Sequence, residues 1–271
     1  MDTVYPTHHL QFDEQGKLWT NTNGNDVVVI GVLDTQQLDF ANIEATEGAA
    51  QKGFVRVDRS AGAIGSNGGY GVAISPVDST IWQGVPGVSG EKNKLLKFDP
   101  ETETLTDYAL PAPGRVSHGT DFSTDGMLWF SAGSGYLGRL DSETEQFMYW
   151  ELPGPKWPGT GKETGSVEYP YYLWVDQFNT LGMGENMIVV TGTISDSLLI
   201  FDPETEEFTT FRLPYPVVFY TRGLDGRIDG ASAGWKGRGL WASYSSYVPR
   251  YSETGMGHLN HIQIRQNPLA E

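Results

Sequence analysis

One unit, used three times, constrains this chain more than anything else in it. Residues 95–111 run Leu-Leu-Lys-Phe-Asp-Pro-Glu-Thr-Glu-Thr-Leu-Thr-Asp-Tyr-Ala-Leu-Pro, and residues 136–153 and 198–214 repeat the plan. The copies align without gaps from Asp99, Asp141 and Asp202 onward. Each is an apolar run, a polar turn, and an alternating run that ends at Leu-Pro. In the alternating run Tyr108, Trp150 and Phe211 share one face, followed two residues later by Leu110, Leu152 and Leu213. Alternation of period two around a turn rich in Asp and Thr predicts a β-hairpin. The turn lacks the ligand spacing of a known calcium loop, and Asp and Pro are ordinary turn formers, so it reads as a surface turn.

A second unit precedes the first. Phe12-Asp-Glu-Gln-Gly-Lys-Leu-Trp19 matches Phe122-Ser-Thr-Asp-Gly-Met-Leu-Trp129, and Ile74 to Trp82 is the same unit with one extra residue. Gly239-Leu240-Trp241 is a weaker copy, and Met187-Ile188-Val189-Val190 stands in the same place without a Trp. Trp19, Trp82, Trp129 and Trp241 therefore read as core or interblade packing. Strand, turn and strand followed by the hairpin make a four-stranded meander. Trp82 to Trp129 is 47 residues and Asp99 to Asp141 is 42, the period of one propeller blade.

The expected fold is all-β: one β-propeller domain over residues 1–271, with antiparallel blades near 7–57, 70–110, 118–152, 172–213 and 222–264. The strands of the first blade are expected at 10–12, 18–21, 27–33 and 54–57, and those of the last at 240–244 and 261–264. The last blade lacks an outer strand, which residues 2–5 are placed to supply, closing the sheet edge. The rival expectation is a fragment of a longer propeller, cut between strands. Residues 154–170, rich in Gly, Pro and Thr, read as a surface loop, and residues 36–52 as an insertion with a short helix.

Composition narrows the function. The net charge is −16, which repels phosphate backbones and argues against nucleic acid as a partner. With no cysteine there is neither a disulfide framework nor a thiolate nucleophile. The longest apolar run, residues 27–33, is too short to span a bilayer, so no membrane insertion is expected. Met1-Asp2-Thr3 does not read as a signal peptide. A monomer is expected.

Aligning the first strand of each blade brings five residues to one position: His8, Tyr70, His118, Tyr172 and Arg222. Residues entering innermost strands line one mouth of a propeller channel. Two imidazoles, two phenols and a guanidinium there suit proton transfer, metal ligation and anion binding. The expected catalytic residues are His8, His118, Tyr70 and Tyr172, with His8 and His118 also as metal ligands and Arg222 binding substrate. The expected cofactor is a divalent metal (Mg, Mn or Zn), and the expected partner a small molecule. His9 points opposite to His8, toward a blade interface. Glu168 and Asp176 are weaker metal candidates, and Asp225 and Asp229 read as loop residues.

Residues 117–131, Ser-His-Gly-Thr-Asp-Phe-Ser-Thr-Asp-Gly-Met-Leu-Trp-Phe-Ser, resemble the repeat of the virginiamycin B lyase (streptogramin lyase) family. That resemblance implies a propeller and metal-assisted elimination on a small molecule. The family has seven blades, and Glu253, His258 and His261 lack its late Glu-x-His spacing. Residues 7–12, 174–182, 222–229 and 234–241 look like exported bacterial lyase-like propellers, which implies a periplasmic or secreted parent. A lyase-like or hydrolase-like enzyme is thus one expectation. A non-catalytic propeller that binds ligands or proteins is the other.

Overall fold

Every repeat folds as its alternation demands. The computed structural model describes residues 7–24, 27–42, 44, 51–57, 69–85, 93–133, 135–156, 165–214, 223–228, 238–244 and 258–264. Among them the first blade is β1 (Thr7–Phe12), β2 (Lys17–Gly24), β3 (Val27–Asp34) and β4 (Gln51–Val57). The second is β5 (Tyr70–Ile74), β6 (Ile81–Val85), β7 (Lys94–Asp99) and β8 (Thr104–Ala109). The third is β9 (Val116–Phe122), β10 (Leu128–Ala132), β11 (Tyr136–Asp141) and β12 (Gln146–Glu151). The fourth is β13 (Pro170–Asp176), β14 (Met187–Gly192), β15 (Ser197–Asp202) and β16 (Glu207–Arg212). The fifth shows β17 (Leu224–Ile228), β18 (Arg238–Tyr244) and β19 (His258–Ile262). Among the described residues each sheet is a meander in sequence order, four sheets of four strands and one of three. The chain is a five-bladed β-propeller. Among the described residues no helix is long and apolar enough to cross a membrane.

Two compact units divide the chain, Met1–Phe130 and Ser131–Glu271, the division falling within β10. In the first unit β1 lies against β5, and β5 against β9, so first strands neighbour first strands. Trp19, Ile30, Val72, Ile81 and Phe98 form one apolar cluster between the first and second blades. Trp82 meets Phe122 of the third blade at 6.2 Å between ring centroids. In the second unit β13 lies against β17, with Tyr171, Tyr172, Leu181, Val189, Leu198, Ile200, Leu224, Leu240 and Ala242 in one core.

The recurrent Trp has a recurrent partner. The indole N–H of Trp19 donates to Asp13 Oδ2 (2.8 Å), that of Trp82 to Thr80 Oγ1 (2.8 Å), and that of Trp129 to Ser123 Oγ (3.0 Å). A buried indole thus keeps its donor satisfied by the turn beside it. Burying 150–250 Å² of aromatic surface is worth roughly 4 to 6 kcal/mol before entropy is counted. Trp241 departs from this pattern. It is 37% exposed and stacks on His261 across β18 and β19, with centroids 4.3 Å apart. Its packing is to an edge imidazole rather than to a core.

The hairpin turn is also built the same way three times. Asp99 accepts from Glu101 N–H (2.9 Å), Asp141 from Glu143 N–H (3.0 Å) and Asp202 from Glu204 N–H (2.8 Å). Two residues further on, Glu103, Glu145 and Glu206 all take left-handed backbone, with φ of 53°, 56° and 57°. The Asp carboxyls serve their own turns, as the composition predicts.

Several boundaries move. β4 begins at Gln51 rather than 54, and β19 covers His258–Ile262 rather than 261–264. The insertion after β3 opens with a 3-10 turn, Thr35–Gln37, capped by Asp34, and residues 45–50 lie outside the described residues. The loop after β12 begins and ends in a bridge between Lys156 and Ser166. Residues 2–5, assigned to close the last blade, lie outside the described residues.

Candidate functional site

A register slip marks the start of the first strand in three blades. It falls between Thr7 and His9 in β1, between Tyr70 and Ala73 in β5, and between Pro170 and Leu173 in β13. A bulge of this kind re-aims the side chains around it. These are the positions where the sequence places His8, Tyr70 and Tyr172.

In the second blade the slip is made by glycine. Gly71 has φ of 68°, and a Cβ there would stand 2.4 Å from Thr120 Oγ1 and 2.9 Å from the His118 carbonyl. Only a residue without a side chain lets β5 come this close to β9. The approach brings Tyr70 against His118, with ring centroids 3.9 Å apart and an edge-on angle of 62°. Tyr70 is buried and His118 is half-buried. The pair therefore offers an imidazole held in place by an aromatic wall. Beside it, the hydroxyl of buried Thr120 has no hydrogen-bond partner among the described residues.

The other side of β5 is fixed by the first blade. His9 Nδ1 accepts from Val72 N–H (3.0 Å), so His9 is spent on the interface, where the alternation places it. Asn21, fully buried, accepts from His9 N–H (2.9 Å) and donates through Nδ2 to the carbonyls of Gly69 (2.5 Å) and Gly71 (3.3 Å). Gln83 lies close by: a Cβ on Gly69 would meet its carboxamide. Both polar atoms of Gln83 are buried without a described partner. Sequence reasoning missed Asn21, Gln83 and Thr120. Of the three, Gln83 alone carried a signal, a polar residue between Ile81 and Val85 on one face of β6.

The remaining expected site residues fare differently. Tyr172 is 1% exposed and packs in the core beside Tyr171, at 5.3 Å between centroids. The register slip between Pro170 and Leu173 spans it. His8 is in β1, but its side chain lies outside the described residues, as does the whole of Arg222. Asp176 is committed to its own turn, accepting from Thr180 N–H (2.6 Å) and Leu181 N–H (2.8 Å). Asp225 is in β17 opposite Trp241, a strand where a loop was expected, while Asp229 lies outside the described residues. Among the described residues no three His, Cys, Asp or Glu side chains converge as a metal site.

No family model matches the chain, and no curated protein does. Among solved structures it is similar to the β-propeller domain of Cps50 (Swd1) from Myceliophteria thermophila. The identity is 11% and the TM-score 0.56, over 91% of this chain and 64% of that one. It is also similar to an auxiliary nutrient binding protein from Bacteroides thetaiotaomicron. There the identity is 11% and the TM-score 0.57, over 87% of this chain and 52% of that one. The chain thus spans between half and two thirds of the length of these structures. At such identity the likeness carries the propeller fold and nothing finer.

Proposed function

We propose that this propeller is a binding module for a small polar molecule, with Tyr70 and His118 at the centre of its site. The observation that supports the reading is the 3.9 Å contact between these two rings. An imidazole with an unperturbed pKa near 6.5 offers a donor or an acceptor at neutral pH. A ring wall limits its rotation, so its hydrogen-bonding direction is set before a ligand arrives, which lowers the ordering cost of binding. The nutrient binding named for one structural neighbour is compatible with such a role.

Metal-assisted elimination by a lyase-like enzyme is the second reading. It rests on the likeness of residues 117–131 to the streptogramin lyase repeat. In that reading His118, joined by His8, would hold a divalent ion that polarises the substrate. The periplasmic or secreted compartment rests on likeness to exported propellers alone.

A thermal-shift screen of small polar metabolites against wild type and His118→Ala tests the binding reading. A class of compounds that raises the wild-type midpoint and leaves His118→Ala unmoved is expected. If His118→Ala keeps every response, the site is elsewhere. Elemental analysis separates the second reading: a stoichiometric divalent ion lost in His118→Ala would favour catalysis.

A further inference from the structure

One contact joins blade to blade, and the first and fifth blades each expose half of it. Inside the chain a Trp of one second strand packs on the blade that follows. Trp19 and Ile30 of the first blade cluster with Val72, Ile81 and Phe98 of the second. Trp82 of the second meets Phe122 of the third, with ring centroids 6.2 Å apart. Phe12 holds the place of Phe122 in the first blade, and Trp241 the place of Trp82 in the fifth.

These two aromatics face water. Phe12 is 62% exposed where Phe122 is 1% exposed. Leu10, two residues before Phe12, is exposed, while Val72 and Thr120 at its place in the next two blades are buried. On the fifth blade Trp241 is partly exposed, unlike Trp19, Trp82 and Trp129. Leu259 stands opposite Ser243 on the third strand and is 65% exposed. Ile30, Leu95 and Leu198 take the same place opposite Asn21, Gly84 and Thr191, and all three are buried. Large apolar groups clustered on an exposed face mark an interaction surface.

We propose that the two faces dock head to tail between copies of this chain, Trp241 and Leu259 of one copy on Leu10 and Phe12 of another. The contact already made inside the chain sets the occupant: a first-strand Phe takes a second-strand Trp. Each face is the complement of the other and not of itself, so the association is heterologous rather than two-fold. Every docked pair leaves one face of each kind open, and copies add in series until a ring closes. The net charge of −16 opposes the approach of like copies, and salt screens that repulsion, so association strengthens as ionic strength rises.

Sedimentation equilibrium of the full chain at low and high salt tests the surface. The average mass should rise with protein concentration, and more steeply in high salt. Phe12→Asp and Trp241→Asp should each weaken association roughly thirtyfold or more, the loss typical of a central aromatic anchor. Each variant keeps one intact face, so an equimolar mixture of the two should form a dimer and stop there. Phe178→Asp, at an exposed aromatic in the turn after β13, should associate as wild type does. Leu10→Lys and Leu259→Lys repeat the mixing experiment should either Asp variant fail to fold. A wild type that stays monomeric at every concentration and salt overturns the proposal, and leaves the faces to one chain closing on itself or to a blade of another protein. A mixture that stays monomeric also overturns it, as does association that survives both Asp substitutions.

Discussion

Replacing Asn21 by Ala should cost this protein about 4 to 6 kcal/mol. That single side chain makes three hydrogen bonds: two donated across to the Gly69 and Gly71 carbonyls, which join blades one and two, and one accepted from His9 N–H within blade one. Each is worth about 1 kcal/mol net, and a buried donor left without a partner costs a further 1 to 3. Asn21 is fully buried, so water does not replace the amide without opening the interface. The loss is a large share of the roughly 5 to 15 kcal/mol that holds a typical domain. Asn21→Asp refines the test. It keeps the acceptor for His9 N–H but turns a carboxylate oxygen on two carbonyls. Such a carboxyl has a raised folded-state pKa, so its penalty is present at neutral pH and shrinks as pH falls toward its unfolded value near 4. Urea denaturation followed by tryptophan fluorescence reads both variants, Trp19 being in the adjoining cluster. A loss under about 1 kcal/mol for Asn21→Ala, or an Asn21→Asp deficit that grows on acidification, would refute the reasoning.

Other perturbations follow from the repeats. Glu103→Gly, Glu145→Gly and Glu206→Gly each relieve left-handed strain of about 1 to 2 kcal/mol against a glycine entropy cost of about 0.5 to 1. The triple variant should gain about 1.5 kcal/mol and melt roughly 3 to 6 °C higher; an unchanged melting point would show those turns to be unstrained. Burial raises the Asp78 carboxyl, but hydrogen bonds from Ser75, Lys97 and Thr80 outweigh it and hold it at about 2. Its contribution is full above pH 4 and is lost as pH falls through about 2; with the side chain 44% exposed, solvent screening limits it to about 1 kcal/mol. Asp78→Asn should flatten the acid limb of a stability–pH profile between those values. Trp82→Ala should cost about 3 to 5 kcal/mol, and Trp241→Ala under about 1.5, as measured by denaturant midpoints.

The fold was legible because its signal is local and repeated. Alternation in residues 104–109, 146–151 and 207–212 needs no tertiary information, and the Trp position marks the second strand. Trp241 misled because a Trp looks the same in sequence whether the next blade covers it or an edge imidazole does. The site was harder to read. Aligning first strands singled out Tyr70 and His118, whose rings do meet, but the register slip that spans Tyr172 leaves no mark in the sequence pattern. Glu168 was visible as a carboxylate, yet its acceptance of the Ile194 N–H depends on which turn folds over it, and that is decided by the β14–β15 register. Asn21 carried no warning, since its partners are glycine carbonyls, which no side-chain pattern reports.

The bonds that fasten the first two blades bear on how the chain reaches its fold. They join residues separated by 48, 50 and 63 positions, a separation of little more than one blade. Closing a loop costs only about 0.6 kcal/mol more for each doubling of its length, so every such step is alike and none spans the chain. A blade emerging after its predecessor finds waiting donors and acceptors, His9 Nδ1 for Val72 and Asn21 for the flanking glycines. Assembly along this part of the chain is therefore a zipper running from the N-terminal side, each docked blade serving as the template for the next. On this view a lesion at Asn21 should slow the docking of the second blade as well as weaken the product.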